Sequence, residues 1–229
     1  RKEPKNKLID YLGWHKQNKD LYFVGLPLLS GRLHGEKKSL IRDIVKKYNL
    51  DLRLTPNQDI LLCNISVNHK LDIKKALSKI GYDNLNKINE IQRHALACPA
   101  LPLCGLAMTE AERILPSVLT RIDDLIKNLN INKSILFRMT GCPNGCTRPY
   151  MAELALVGSG QNKYQLWLGG SKNLQRLAKP YLQRMELKDL EKTLKPLLIH
   201  WKESDSESDF GDFINNQSES SIVNLLNEI

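Results

Sequence analysis

Aromatic residues make up only 6% of this 229-residue chain. That scarcity argues against a nucleic-acid surface, where basic side chains alternate with stacking rings. No apolar run approaches the ~20 residues that a bilayer-crossing helix needs, so no membrane-spanning helix is expected. A secretory segment with its apolar core and small-residue cleavage site is missing as well, which leaves an oxidising compartment without support. Arg1–Lys7 is polar and reads as the middle of something longer. Histidine is scarce where it would matter: of five, only His94 lies near a cysteine pair, four residues before Cys98. Internal repeats are absent too.

The formal charge is +9, but it is unevenly spread. After Trp201 one lysine faces seven acids, which leaves the tail at −6 and residues 1–201 at +15. A basic body of that size suits an acidic protein partner or a polyanionic cofactor. Most of the excess is also accounted for by solvated lysine faces on surface helices.

Four of the five cysteines form two tight pairs, Cys98/Cys104 and Cys142/Cys146, in the pattern C-x5-C…C-x3-C. Thiolates are soft ligands, and four together hold zinc or an iron–sulfur cluster. Gly141, Pro143 and Gly145 around the second pair favour a tight loop whose N–H groups can point at sulfur or at an anion. Three readings stay open on spacing alone: disulfides, structural zinc and a cluster. Zinc knuckles commonly space their paired ligands C-x2–4-C, and one pair here is wider. Cys63, within L-L-C-N-I, has no partner spacing and reads as a small buried hydrophobe on a strand.

The pattern predicts an α+β chain. Leu21–Leu29 reads as a strand, and Glu36–Tyr48 as a helix with Leu40, Ile41, Ile44, Val45 and Tyr48 on one face. Asp51–Thr55, the turn Thr55-Pro56-Asn57-Gln58 and Asp59–Ile65 read as a hairpin whose first strand is half-buried, and Asp72–Ile80 as a second helix. Further on, Thr109 is a candidate N-cap for a long helix through Leu129, with Pro116 early in it. Ser134–Met139, Glu153–Val157 and Tyr164–Leu168 read as strands, and Leu187–Trp201 as a closing helix. The expected divisions are residues 12–83, 84–201 and an acidic, flexible tail, 202–229. One cysteine pair precedes a helix and the other follows a strand, so two rigid elements each present two thiols.

At these residues the chain resembles a known family. A-C-P-A-L-P-L-C-G-L-A-M-T-E-A-E-R (Ala97–Arg113) and R-M-T-G-C-P-N-G-C-T-R-P-Y-M-A-E (Arg138–Glu153) are similar to the cofactor-binding segments of assimilatory sulfite reductases. W-L-G-G (Trp167–Gly170), L-R-L-T-P-N-Q (Leu52–Gln58) and F-G-D-F (Phe210–Phe213) fit the same family. The resemblance runs from about Leu12 to Phe213.

It implies a ferredoxin-like half-domain followed by a mixed α/β domain binding sirohaem and a [4Fe–4S] cluster. Cys98, Cys104, Cys142 and Cys146 would ligate the cluster, with Cys146 also the axial ligand of sirohaem and in that sense catalytic. Asn57, Gln58, Asn144 and Arg148 would contact sirohaem; as ordinary turn residues, Asn57 and Gln58 have an equally simple explanation. Arg93, Arg113 and Arg138 read equally well as surface or supporting groups. The implied reaction is six-electron reduction of sulfite to sulfide in sulfate assimilation, with ferredoxin as donor. The implied setting is a bacterial or cyanobacterial cytoplasm or a plastid stroma.

The family is built from two related halves, and this chain resembles only the second. The basic cluster that would bind sulfite belongs to the missing amino-terminal half, so this part alone is expected to be inactive. A nitrite reductase fragment, a non-catalytic iron–sulfur electron-transfer module and a zinc-binding interaction domain are the other readings.

Overall fold

The structure, a computed structural model, describes residues 10–18, 20–85, 88–204 and 207–227. The chain divides into two compact units, one ending at Asn89 and one running on from Glu90, a little beyond the division expected at residue 83.

The first unit is a four-stranded antiparallel sheet in the order β1-β2-β4-β3, built from β1 (Gly13–Lys16), β2 (Leu21–Leu26), β3 (Asp51–Leu54) and β4 (Ile60–Ser66). Two helices, α1 (Gly35–Tyr48) and α2 (Val67–Ser78), complete it. Ile41 and Ile44 of α1, and Ile73 and Leu77 of α2, bury against Val24, Leu26, Ile60 and Leu62 in a single core. α1 ends because Asn49 takes the left-handed conformation (φ 50°) and its N–H returns to the Val45 carbonyl. α2 begins earlier than its periodicity suggested, because the Ser66 hydroxyl caps it by accepting from the Asn68 N–H. The hairpin forms as expected, Leu54 facing Ile60. All four β3 residues are nevertheless exposed, not half-buried: β3 is an edge strand, and its alternation of charged and apolar residues has no second layer to bury against. β1 was not foreseen. It is too short for a pattern and is held by pairing with β2.

The second unit holds a five-stranded sheet in the order β5-β6-β7-β8-β9. β5 (Leu96–Ala97), β6 (Phe137–Thr140) and β7 (Leu154–Gly160) run parallel, whereas β8 (Lys163–Leu168) and β9 (Lys179–Glu186) turn back antiparallel. A short helix, α3 (Glu90–Arg93), precedes β5. α4 (Leu115–Asn128) and α5 (Leu190–Ser204) follow β5 and β9 respectively. Leu115, Val118, Leu119, Ile122 and Ile126 recur at helical spacing on α4 and bury in one core with Phe137, Met139, Leu154 and Leu156. Strand alternation puts Leu136, Arg138 and Ala155 on the opposite face, where Leu136, Ala152 and Ala155 form a smaller cluster with Trp167 and Leu174.

Two expectations fail here. α4 starts at Leu115 with Ile114 at its cap, not at Thr109, because Pro116 in the first turn sets the helix start. Thr109 is buried and its hydroxyl is already engaged: it donates to the Tyr164 hydroxyl (3.1 Å) and accepts from the Asn162 N–H (3.2 Å).

The residues after Trp201 are likewise not a flexible tail where they are described. α5 continues to Ser204, and α6 (Phe210–Asn216) and α7 (Glu219–Asn227) follow. Phe210, Phe213, Ile222 and Leu226 are buried in the main core, so apolar spacing outweighs the acidic composition.

Glu153 fastens that end to the sheet. Fully buried, it accepts from the Leu136 N–H (2.8 Å) and the Gly211 N–H (2.9 Å). Gly211 has to be glycine, since a β-carbon there would lie 1.8 Å from the Gly170 carbonyl oxygen. Burial raises the Glu153 pKa from 4.5 to about 7, against the opposing pull of the two N–H donors and Lys172, with Asp209 adding slightly to the rise.

The folded state therefore holds this proton more tightly than the unfolded chain does. Stability from Glu153 is complete below about pH 4.5 and is lost as pH rises through about 7, by roughly 3 kcal/mol in all. Denaturant titrations from pH 4.5 to 8 should show that slope, and E153Q should flatten it.

Candidate cofactor site

Parallel pairing of β5 with β6 brings the cysteines together. Ala97 faces Met139 across the two strands, so the chain leaves both strands side by side at their carboxyl ends. Cys98 follows one strand end directly, and Gly141-Cys142 follow the other.

Gly141 joins the two loops. Its N–H points at the Cys98 sulfur (3.3 Å), while its carbonyl accepts from the N–H groups of Met108 (2.8 Å) and Thr109 (3.2 Å). A side chain has no room: a β-carbon would lie 2.6 Å from the Ala100 methyl and 2.7 Å from the Thr109 carbonyl oxygen. Gly158 on β7 is pressed against the same point, 2.3 Å separating its hypothetical β-carbon from the Gly141 oxygen.

Each loop is also braced internally. In the first, the Cys104 N–H donates to the Ala100 carbonyl (2.8 Å) and the Glu112 N–H to the Cys98 carbonyl (3.1 Å). In the second, the Thr140 hydroxyl donates to the Cys142 carbonyl (3.0 Å) and the Thr147 hydroxyl to the Met139 carbonyl (3.0 Å). The Arg148 N–H closes a turn on the Gly145 carbonyl (2.8 Å), with Gly145 at φ 65°. Tyr150 donates its hydroxyl to the Pro143 carbonyl (2.6 Å) and packs its ring against Trp167, 4.5 Å between centroids.

All five cysteines are free thiols. Cys98 and Cys142 are buried, Cys104 is half-buried and Cys146 is exposed. Burial pushes the Cys98 thiol up; the Gly141 and Ala100 amides oppose this, and Cys146 and Cys142 add to the rise. Those last two effects place three of the four thiols in one electrostatic neighbourhood. Among the described residues, no group of three or more His, Cys, Asp or Glu side chains is arranged to hold a metal ion. Cys63 stands apart, buried on β4.

Asn144 is exposed between Cys142 and Cys146, and Arg148 is half-buried at the end of the same loop with a left-handed backbone (φ 56°). Asn57 and Gln58 belong to the other unit. There the Thr55 hydroxyl accepts from the N–H groups of Asn57 (3.3 Å) and Asp59 (3.1 Å), and Gln58 sits at φ 65°. Thr55 thus organises the turn that presents them. Burial lifts Asp59 to about 6, against the Leu28 N–H that donates to it.

The loop N–H expected to point at sulfur is that of Gly141, whereas the contact of Thr109 with Tyr164 and the clamp made by Glu153 went unread, although both residues lie inside the quoted motifs. Arg138 was read only as a surface or supporting group. The available signal was a charged residue inside the apolar run I-L-F-R-M-T.

Comparison with known proteins bears on the same segments. Residues 15–80 match the nitrite/sulfite reductase ferredoxin-like half domain. Over 219 residues, 93% of the chain, the sequence is 46% identical to the sulfite reductase [ferredoxin] of Synechococcus elongatus. Residues 15–80 thus carry the nitrite/sulfite reductase half domain, and the chain is similar to sulfite reductases along most of its length. It is also 34% identical, over 92% of its length, to the sulfite reductase [NADPH] hemoprotein beta-component of Staphylococcus saprophyticus. The fold matches the Mycobacterium tuberculosis NirA protein with a TM-score of 0.78 at 19% identity, covering 96% of this chain and 42% of that one. The chain spans only 35% and 41% of the length of the two curated relatives.

Replacing Gly141 by alanine should force the two loops apart. The expected cost is about 1–3 kcal/mol, the usual range for overpacking. Alongside a lower melting temperature, Cys98 and Cys142 should become reactive toward a thiol reagent that spares them in the native chain.

Proposed function

We propose that this chain is the cofactor-bearing, carboxy-terminal part of a sulfite reductase. In the whole enzyme, electrons from ferredoxin would reduce sulfite to sulfide in sulfate assimilation, with the amino-terminal half completing the substrate side. One observation carries the reading: two cysteine loops leave neighbouring parallel strands and are tied together through the backbone of Gly141.

The donor set suits a [4Fe–4S] cluster. Cys98, Cys104, Cys142 and Cys146 offer four soft sulfurs, none spent in a disulfide. One zinc ion would draw its four thiolates to within about 4 Å of one another, given Zn–S bonds of ~2.3 Å. The C-x5-C spacing of Cys98 and Cys104 is wider than such a site commonly uses, which favours the cluster. Cys146, exposed on its loop, would also help to hold sirohaem. When bound, the cluster and sirohaem supply a one-electron relay and the iron that holds the substrate.

The chain's own residues prepare that chemistry. The Gly141 N–H directs a dipole at the Cys98 sulfur, which favours its thiolate. Arg148 offers a cation, and Asn144 a hydrogen-bonding amide, for cofactor carboxylates. In the first unit, the Thr55 hydroxyl shapes the turn that carries Asn57 and Gln58, themselves candidate cofactor contacts. The net +15 of residues 1–201 would speed encounter with an acidic ferredoxin. Among the described residues no helix is long and apolar enough to cross a membrane; the setting implied by the family resemblance is a bacterial cytoplasm or a plastid stroma.

Anaerobic reconstitution with iron and sulfide should give a brown protein containing both in equal amounts, and serine at any of the four cysteines should lower the load. A colourless, zinc-loaded product would overturn the reading. With methyl viologen as donor, the 229-residue chain alone should release no sulfide; brisk turnover would show that no second half is required.

A further inference from the structure

Arg138 lies four residues before Cys142, on the sheet face away from the main core. It is fully buried. Its Nη1 donates to the Arg148 carbonyl (3.1 Å), while Nε and Nη2 have no hydrogen-bond partner among the described residues. No carboxylate among those residues forms an ion pair with it. The charge acting on it is of its own sign: burial first, then Arg148, lower its pKa to about 10. It therefore stays charged at neutral pH.

Such a group is costly. A guanidinium removed from water and left without a counter-charge is destabilising by several kcal/mol. As a strut for the Arg148 peptide it uses one donor, and a neutral amide could do the same. The strut itself matters, because Arg148 is a non-glycine residue in the left-handed region (φ 56°), a conformation disfavoured by roughly 1–2 kcal/mol. Neither two spare donors nor a permanent charge is needed for that task. Both make sense if the loop from Cys142 to Arg148 carries negative charge in its working state.

We propose that Arg138 is a positioning residue for the thiolate loop. It pins the Arg148 peptide and supplies a fixed positive charge that offsets the negative charge gained when the cysteines deprotonate and the cluster accepts an electron. This inference rests on the cluster reading above. One electron from an external low-potential reductant adds one negative charge to the cluster, and no bond forms or breaks. A buried cation close to the loop favours that more negative state, and so raises the reduction potential.

The test compares the wild-type chain with R138K and R138M after anaerobic reconstitution. Iron and sulfide content is measured first, then dithionite titration is followed by electron paramagnetic resonance. Arg138→Met should load iron but titrate at a more negative potential, whereas Arg138→Lys, which keeps the charge, should stay near wild type. Equal potentials in all three loaded proteins would overturn the proposal. If R138M fails to fold or load, R138K decides: wild-type loading and potential support the charge, and failure like that of R138M overturns it. Iron content of the wild-type chain separately tests the cluster reading. If that chain takes up no cluster, both ideas fall together.

Discussion

The backbone of Gly141 is where the two cysteine loops become one unit. Its N–H reaches a sulfur of the first loop, and its carbonyl collects two N–H groups from the far end of that loop. Each bond is worth only about 1 kcal/mol net. Their effect is geometric, because they tie together two loops that leave the short β5–β6 pairing side by side. Everything around the contact is built to permit it: glycine at 141 and 158 removes side chains from a gap that admits only backbone, and Ala100 presents no more than a methyl.

Around this contact the unit arranges polar groups economically. The hydroxyls of Thr109, Thr140 and Thr147 and the carboxyl of Glu153 are all buried, and each is satisfied by backbone or a tyrosine hydroxyl. Arg138 differs from these, with two guanidinium donors unmatched among the described residues. A buried charge left unmatched is costly, and such groups are over-represented at functional sites.

The meeting of the two cysteine loops was legible in the sequence, since one pair precedes a helix and the other follows a strand, each with loop-forming glycine or proline beside it. α1 was legible because five apolar residues keep one helical face over its length. The start of α4 was not: Thr109 has the chemistry of a cap, but its hydroxyl is engaged by Asn162 and Tyr164, more than fifty residues away in sequence. β9 was missed because an edge strand such as K-P-Y-L-Q-R-M-E is mostly exposed and shows no alternation. The tail was misjudged because composition was weighed over spacing. Lys202–Asp209 is acidic, yet Phe210, Phe213, Ile222 and Leu226 recur at helical intervals and bury. Sites built from local sequence can be read early, whereas those built from long-range contacts emerge only in three dimensions.

The clamp between Glu153 and Gly211 bears on the order of events during synthesis. A growing chain folds from its amino end as it emerges. The first unit is one contiguous stretch and can close as soon as Asn89 has left the ribosome. Its neighbour cannot: the carboxyl of Glu153 lacks one of its two donors until residue 211 exists, and its core lacks Phe210 and Phe213 until then. The cysteine loops are therefore translated well before the scaffold that steadies them is finished. For that interval four thiols stand in an open, unfinished sheet, where they are more exposed to oxidation than in the finished fold.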